Sequence, residues 1–112
     1  MSQISMIEEN AGTIIKLKGQ FIGGEETDEL RKMLQSVAEQ KKNKLIVDLA
    51  EVTYLNSTAL GVLISAHANF VKRDGKIVIC EVSETLYKIF VITKLTNVFN
   101  MAPTLEEAKK FL

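Results

Sequence analysis

Leu45-Ile46-Val47-Asp48-Leu49 and Ile77-Val78-Ile79-Cys80 are two nearly unbroken apolar runs. Neither alternates with polar residues as a half-solvated strand does. Both therefore predict strands covered on two faces, paired in parallel through helical crossovers. Between them, Ser57 to Lys72 reads as a helix. Its apolar positions form a wide arc of Leu60, Leu63, Ile64 and Val71 with Ala59, Val62, Ala66 and Phe70. Thr58, Gly61, Ser65, Asn69 and Lys72 fall on the opposite side, and Gly75 after Arg73-Asp74 is the expected helix stop.

Upstream, Gln3 to Glu8 and Thr13 to Lys18 are short apolar-rich segments around Asn10-Ala11-Gly12, which predicts a hairpin. Leu30, Met33, Leu34, Val37 and Ala38 then form one helical stripe. Glu25, Glu26, Asp28 and Glu29 precede it and Lys41 and Lys42 follow it, both matched to the helix dipole. Downstream, Ser83 is the expected N-cap of a helix carrying Leu86, Ile89, Phe90 and Thr93. An extended piece near Val98 to Met101 precedes Pro103, and Thr104 with Glu107 has capping-box spacing for a last helix to Leu112. The order is β-β-α-β-α-β-α-β-α. It predicts an α/β single domain over residues 1–112, a mixed four- to five-stranded sheet packed with about four helices.

Composition narrows the function. The chain has 112 residues, 46% hydrophobic and 25% charged, a globular balance. Lys+Arg and Asp+Glu number 14 each, so the formal charge is zero, and no nucleic-acid partner is expected through phosphate neutralisation. No signal peptide and no apolar run of membrane-spanning length is read, so a cytoplasmic protein without a membrane partner is expected. One cysteine and one histidine exclude a disulfide framework and a multi-histidine metal site. Cys80 in its apolar run reads as a small hydrophobe, and His67 as a core or boundary residue with one hydrogen bond. Gly19, Gly23 and Gly24 match neither phosphate-loop nor dinucleotide spacing. With no acid–base pair or triad, no enzyme and no cofactor are expected.

One local feature carries chemistry. Asn56 is a good N-cap whose side chain can accept from the amide of Thr58 or Ala59, which places Ser57 in the first helical turn. A phosphate on Ser57 would meet free amides and the positive end of the dipole. The alternative is that Ser57 and Thr58 are simply residues suited to a helix start. Phe21 and Ile22, in the loop to Gly24, either pack inward or form part of a contact surface.

Asp48-Leu49 with Val52, Tyr54-Leu55-Asn56-Ser57-Thr58-Ala59-Leu60-Gly61, and Ile89-Phe90-Val91-Ile92-Thr93-Lys94-Leu95 to Phe99 together resemble the STAS domain family. The ending Thr104-Leu105-Glu106-Glu107-Ala108 fits as well, so the resemblance covers nearly the whole chain. Within the family it is most similar to bacterial anti-sigma factor antagonists. That resemblance implies a regulator working by partner switching. Its serine at the position of Ser57 (or Thr58 beside it) would be phosphorylated by an anti-sigma factor with serine kinase activity and restored by a serine phosphatase. The unphosphorylated form would bind the kinase through Phe21, Ile22, Gly23, Asn56, Ser57, Thr58, Gly61 and Ser65. A constitutive scaffold or transport-complex subunit is the alternative. Asn56 stands where the family usually has aspartate, and Ala59 where it has glycine. An aspartate common soon after the second strand is missing near Ile22, and the spacing to Leu30 is one residue longer.

Overall fold

The computed structural model describes residues 3–41 and 43–112. The elements run β1 (Gln3–Glu9), β2 (Gly12–Phe21), α1 (Glu25–Ala38), β3 (Lys44–Leu55), α2 (Ser57–Lys72), β4 (Lys76–Cys80), α3 (Glu84–Ile92), a 3₁₀ turn (Leu95–Asn97), β5 (Asn100–Ala102) and α4 (Leu105–Lys109). The five strands lie in the order β1-β2-β3-β4-β5. β1 is antiparallel to β2, and every later pair is parallel. The expected mixed sheet and its alternation with helices are present.

Because the sheet advances one strand at a time, right-handed crossovers place α1, α2 and α3 on one face. Leu30 and Leu34 of α1, Leu63 and Phe70 of α2, and Leu86 and Phe90 of α3 accordingly share a core with Ile15, Val47 and Ile79. α4 covers part of the other face, where Ala108 joins Ile14, Ile46, Val78, Cys80 and Ala102. This second cover explains why β3 and β4 read as continuous apolar runs. Thr104 caps α4 by accepting from Glu107 N–H at 3.1 Å, and Leu105 N–H donates to Glu81 Oε2 at 2.8 Å.

Two strands are longer than the pattern predicts. β2 reaches Phe21 and β3 reaches Leu55, with register shifts where Lys16↔Asp48 becomes Lys18↔Glu51 and Gly19↔Val52 becomes Gln20↔Tyr54. Each shift inserts a residue into β3 and breaks the period of two. Asp48, buried in the sheet, answers the first of them: its Oδ1 accepts from Ala50 N–H at 2.9 Å.

The helix ends also differ from expectation. α1 stops at Ala38 with no basic residue in its last turn, so Lys41 lies beyond it, and Lys42 lies outside the described residues. α2 ends in a Schellman turn, with Gly75 N–H donating to Phe70 O at 2.7 Å and Asp74 N–H to Val71 O at 3.1 Å. The left-handed position is Asp74 (φ 59), not Gly75. Gly75 is needed for close approach instead, since a Cβ there would lie 2.5 Å from Asn43 O.

Candidate functional site

The parallel strands β2 and β3 end together, Phe21 opposite Leu55, and both chains then turn up into helices. Crevices at the carboxyl ends of parallel strands are where open α/β sheets present their ligand-facing loops. Here a backbone bond joins the two turns, Asn56 N–H donating to Phe21 O at 3.1 Å.

The β3–α2 turn is fixed by its cap. Asn56 is extended, and its Oδ1 accepts from Ala59 N–H at 3.0 Å while its carbonyl accepts from Leu60 N–H at 2.9 Å. Of the two amides open to the side-chain cap, Ala59 takes it. That leaves Ser57 and Thr58 N–H as the first-turn donors without a partner inside the helix. Both side chains are exposed. The apolar run from Ala59 holds the helix down, so its N-terminus stands rigidly at the surface.

The β2–α1 turn is built differently. Gly23 (φ 94) and Gly24 (φ 79, ψ −157) make it, and Gly24 caps α1 with no side-chain bond. The buried Thr27 accepts from Gly23 N–H at 2.9 Å through Oγ1, a support that sequence reading did not single out. Ile22 is 54% exposed. Phe21 is fully buried, because as the last residue of β2 it points into the helical core. Its place in the expected contact surface is therefore corrected: Phe21 positions the loop and Ile22 is the residue displayed.

Gly61 and Ser65 follow Ser57 up the outer side of α2. Nothing lies within 4 Å of a Cβ built on Gly61, so that flank is open. Ile64 and Val71, expected in the buried arc, are 38% and 56% exposed. The sheet and α1 pack against only part of α2, and these two residues sit at the shoulder of an arc too wide to bury. Ser57, Gly61, Ile64, Ala68 and Val71 therefore form one row of alternating spacing four and three along the outer face, and its upper part is apolar.

His67 is half-buried with its ring edge-on to Phe99 at 5.4 Å between centroids. Its Nδ1 is buried with no hydrogen-bond partner among the described residues. Cys80 is fully buried, and burial first, then the charges of Asp48 and Glu81, push its thiol up to about 12. Such a thiol stays protonated and unreactive at neutral pH. No group of three His, Cys, Asp or Glu side chains among the described residues is arranged to hold a metal ion. No described helix is long and apolar enough to cross a membrane.

The model of the STAS domain matches residues 3–108. The chain belongs to the STAS domain family. Over 57 residues it is 35% identical to the anti-sigma-B factor antagonist of Listeria monocytogenes, a match covering 51% of this chain and 50% of that protein. In that match the chain spans about half the length of the relative. The crystal structure of an anti-sigma factor antagonist from Mycobacterium paratuberculosis superposes with a TM-score of 0.85, covering 98% of this chain and 92% of that one at 19% identity. The phosphorylated form of the Bacillus cell fate determinant SpoIIAA gives a TM-score of 0.73, covering 98% and 97% at 19% identity. These likenesses place the fold among STAS structures.

Proposed function

We propose that this STAS domain is an anti-sigma factor antagonist that acts by partner switching. The observation that carries the reading is Ser57, exposed at the first turn of α2 beside the Ile22–Gly24 turn, with unpartnered amides around it. The name of the Listeria relative supports the role. In this reading the domain is a binding module and not an enzyme, works in the cytoplasm, and needs no cofactor. Its partners are an anti-sigma factor with serine kinase activity and a serine phosphatase.

The unmodified domain binds the anti-sigma factor through Ser57, Thr58, Gly61 and Ser65, joined by Ile22, Gly23 and the exposed Ile64. Phosphorylation of Ser57 adds about −1.5 to −2 charges at neutral pH. The α2 N-terminus stabilises that charge by about 0.3–1 kcal/mol, so the domain stays folded. A partner packed over the same spot must desolvate the phosphate, which costs far more than the dipole returns. Glu25, Glu26 and Asp28 in the first turn of α1 make the neighbouring turn acidic and offer the phosphate no counter-charge. Release follows from sterics and desolvation at the interface.

Intact-mass measurement on protein from its native cell tests the modification. The expected result is a phosphate-sized addition that disappears in Ser57→Ala. Phosphate retained by Ser57→Ala moves the switch to Thr58. No phosphate in any growth condition leaves the constitutive scaffold or transport-subunit role.

A further inference from the structure

The two edges of the sheet are built to different standards. β5 is three residues long, stops at Pro103, and is tied inward by Asn100 Nδ2, which donates to Ile77 O at 3.2 Å. Shortness and a following proline are common protections of an edge strand. β1, at the other edge, has neither. It runs for seven residues in unbroken register with β2, from Gln3↔Lys18 to Glu9↔Gly12, with no bulge. It contains no proline, lysine or glycine. Among the described residues no strand pairs with its outer side. Met6 and Ile7, one on each face, remain 43% and 44% exposed, and only Ile4 is half-buried. A long, unbulged, partly apolar edge is a template for another strand.

We infer that β1 is a dimer edge, pairing antiparallel with β1 of a second copy to make one continuous ten-stranded sheet. A two-fold axis normal to the sheet is the operation that brings an edge strand antiparallel to itself, and it makes the contact isologous. Centred on Met6, the strand's middle residue, the pairing engages all of Gln3–Glu9 and sets Met6 against the partner copy's Met6. It also complements charge. Glu9 of each strand, which also reaches Lys109 of its own chain at 3.8 Å, meets Gln3 of the other on the face that carries Lys18, opposite Gln3 on β2, while Glu8 lies on the other face. A self-pairing register with an apolar residue at its centre and Glu9 turned toward the Lys18 end suits a second copy of this chain. The Ser57 surface lies at the carboxyl ends of β2 and β3 and is not used by the contact, so the inference stands apart from the proposed switch.

Sedimentation equilibrium of the full chain over a wide concentration range tests it. The wild type should show a monomer–dimer equilibrium. Met6→Lys and Met6→Glu each place like charges face to face at the axis, and each should weaken the dimer several-fold with unchanged circular dichroism. Mixing the two variants should restore dimer, because opposite charges then meet at the axis. A wild type that stays monomeric throughout overturns the inference and leaves the edge to a strand of some other protein. Variants that dimerise like wild type, or a mixture with no gain over either variant, overturn it too.

Discussion

The two strand-to-helix turns of the site occupy equivalent places at the ends of adjacent parallel strands, yet they are held by opposite means. The β3–α2 turn closes with a side-chain cap, Asn56 to Ala59 N–H, and carries no charge in its first turn. The β2–α1 turn closes on two glycines with positive φ, has no side-chain cap, and starts an acidic helix. The first presents a rigid, neutral N-terminus, suited to receiving a phosphate without rearrangement. The second presents one apolar residue, Ile22, next to two glycines whose backbone few other residues adopt. In the proposed complex the two turns are distinct contacts, a side-chain-capped helix N-terminus and a glycine-built turn.

The largest effect on partner binding in the proposed complex should come from the open flank of α2. Gly61→Arg should weaken the complex by about 2 kcal/mol or more, roughly thirtyfold, as hot-spot changes do. The domain has room for the side chain, so its melting temperature should hold. Ile22→Arg, on the glycine-built turn, should weaken binding less. The reverse order in calorimetric titrations would exchange the roles of the two turns.

Backbone strain sharpens the contrast next. Gly24 sits at φ 79 and ψ −157, a region almost reserved for glycine, so Gly24→Ala should cost about 1–3 kcal/mol in urea unfolding. Asn56→Ala removes the α2 cap and should cost about 1 kcal/mol. Asn56→Asp keeps the acceptor and should be near neutral. A larger loss at Asn56 than at Gly24 would mean the capped turn is the strained one. His67→Ala gives up the edge-on contact with Phe99, about 0.5–1.5 kcal/mol, and should leave partner binding by the folded fraction intact. Lost binding at an unchanged melting temperature would bring His67 into the docking surface.

Much of this molecule is legible before any coordinates, and the failures share a cause. α2 begins at Ser57, ends at Lys72 and is capped by Asn56 as the local pattern predicts, because caps act within one turn. The length of β3 was hidden by residues inserted opposite Lys16–Lys18 and Gly19–Gln20, a property of strand pairing that no single segment displays, and that of β2 by Gly19 (φ 91), which reads as the start of a loop. The exposure of Ile64 and Val71 follows from how far the neighbouring elements reach around α2, which periodicity does not contain. The same holds for Phe21, whose direction is set by its pairing with Leu55. Local chemistry can be read from the order of residues; the limits of burial depend on what packs against them.

Ser57 is the residue on which the proposed switch depends. The direct measurement is the affinity of the anti-sigma partner, co-purified from the native host, for the chain carrying phosphoserine at position 57 and for the unmodified chain. Phosphorylation should weaken binding by about tenfold or more, since removing a phosphate from water is costly, while the circular dichroism of the free domain stays unchanged. Equal affinity for the two forms, or a phosphorylated chain that loses its fold, would contradict the proposed mechanism.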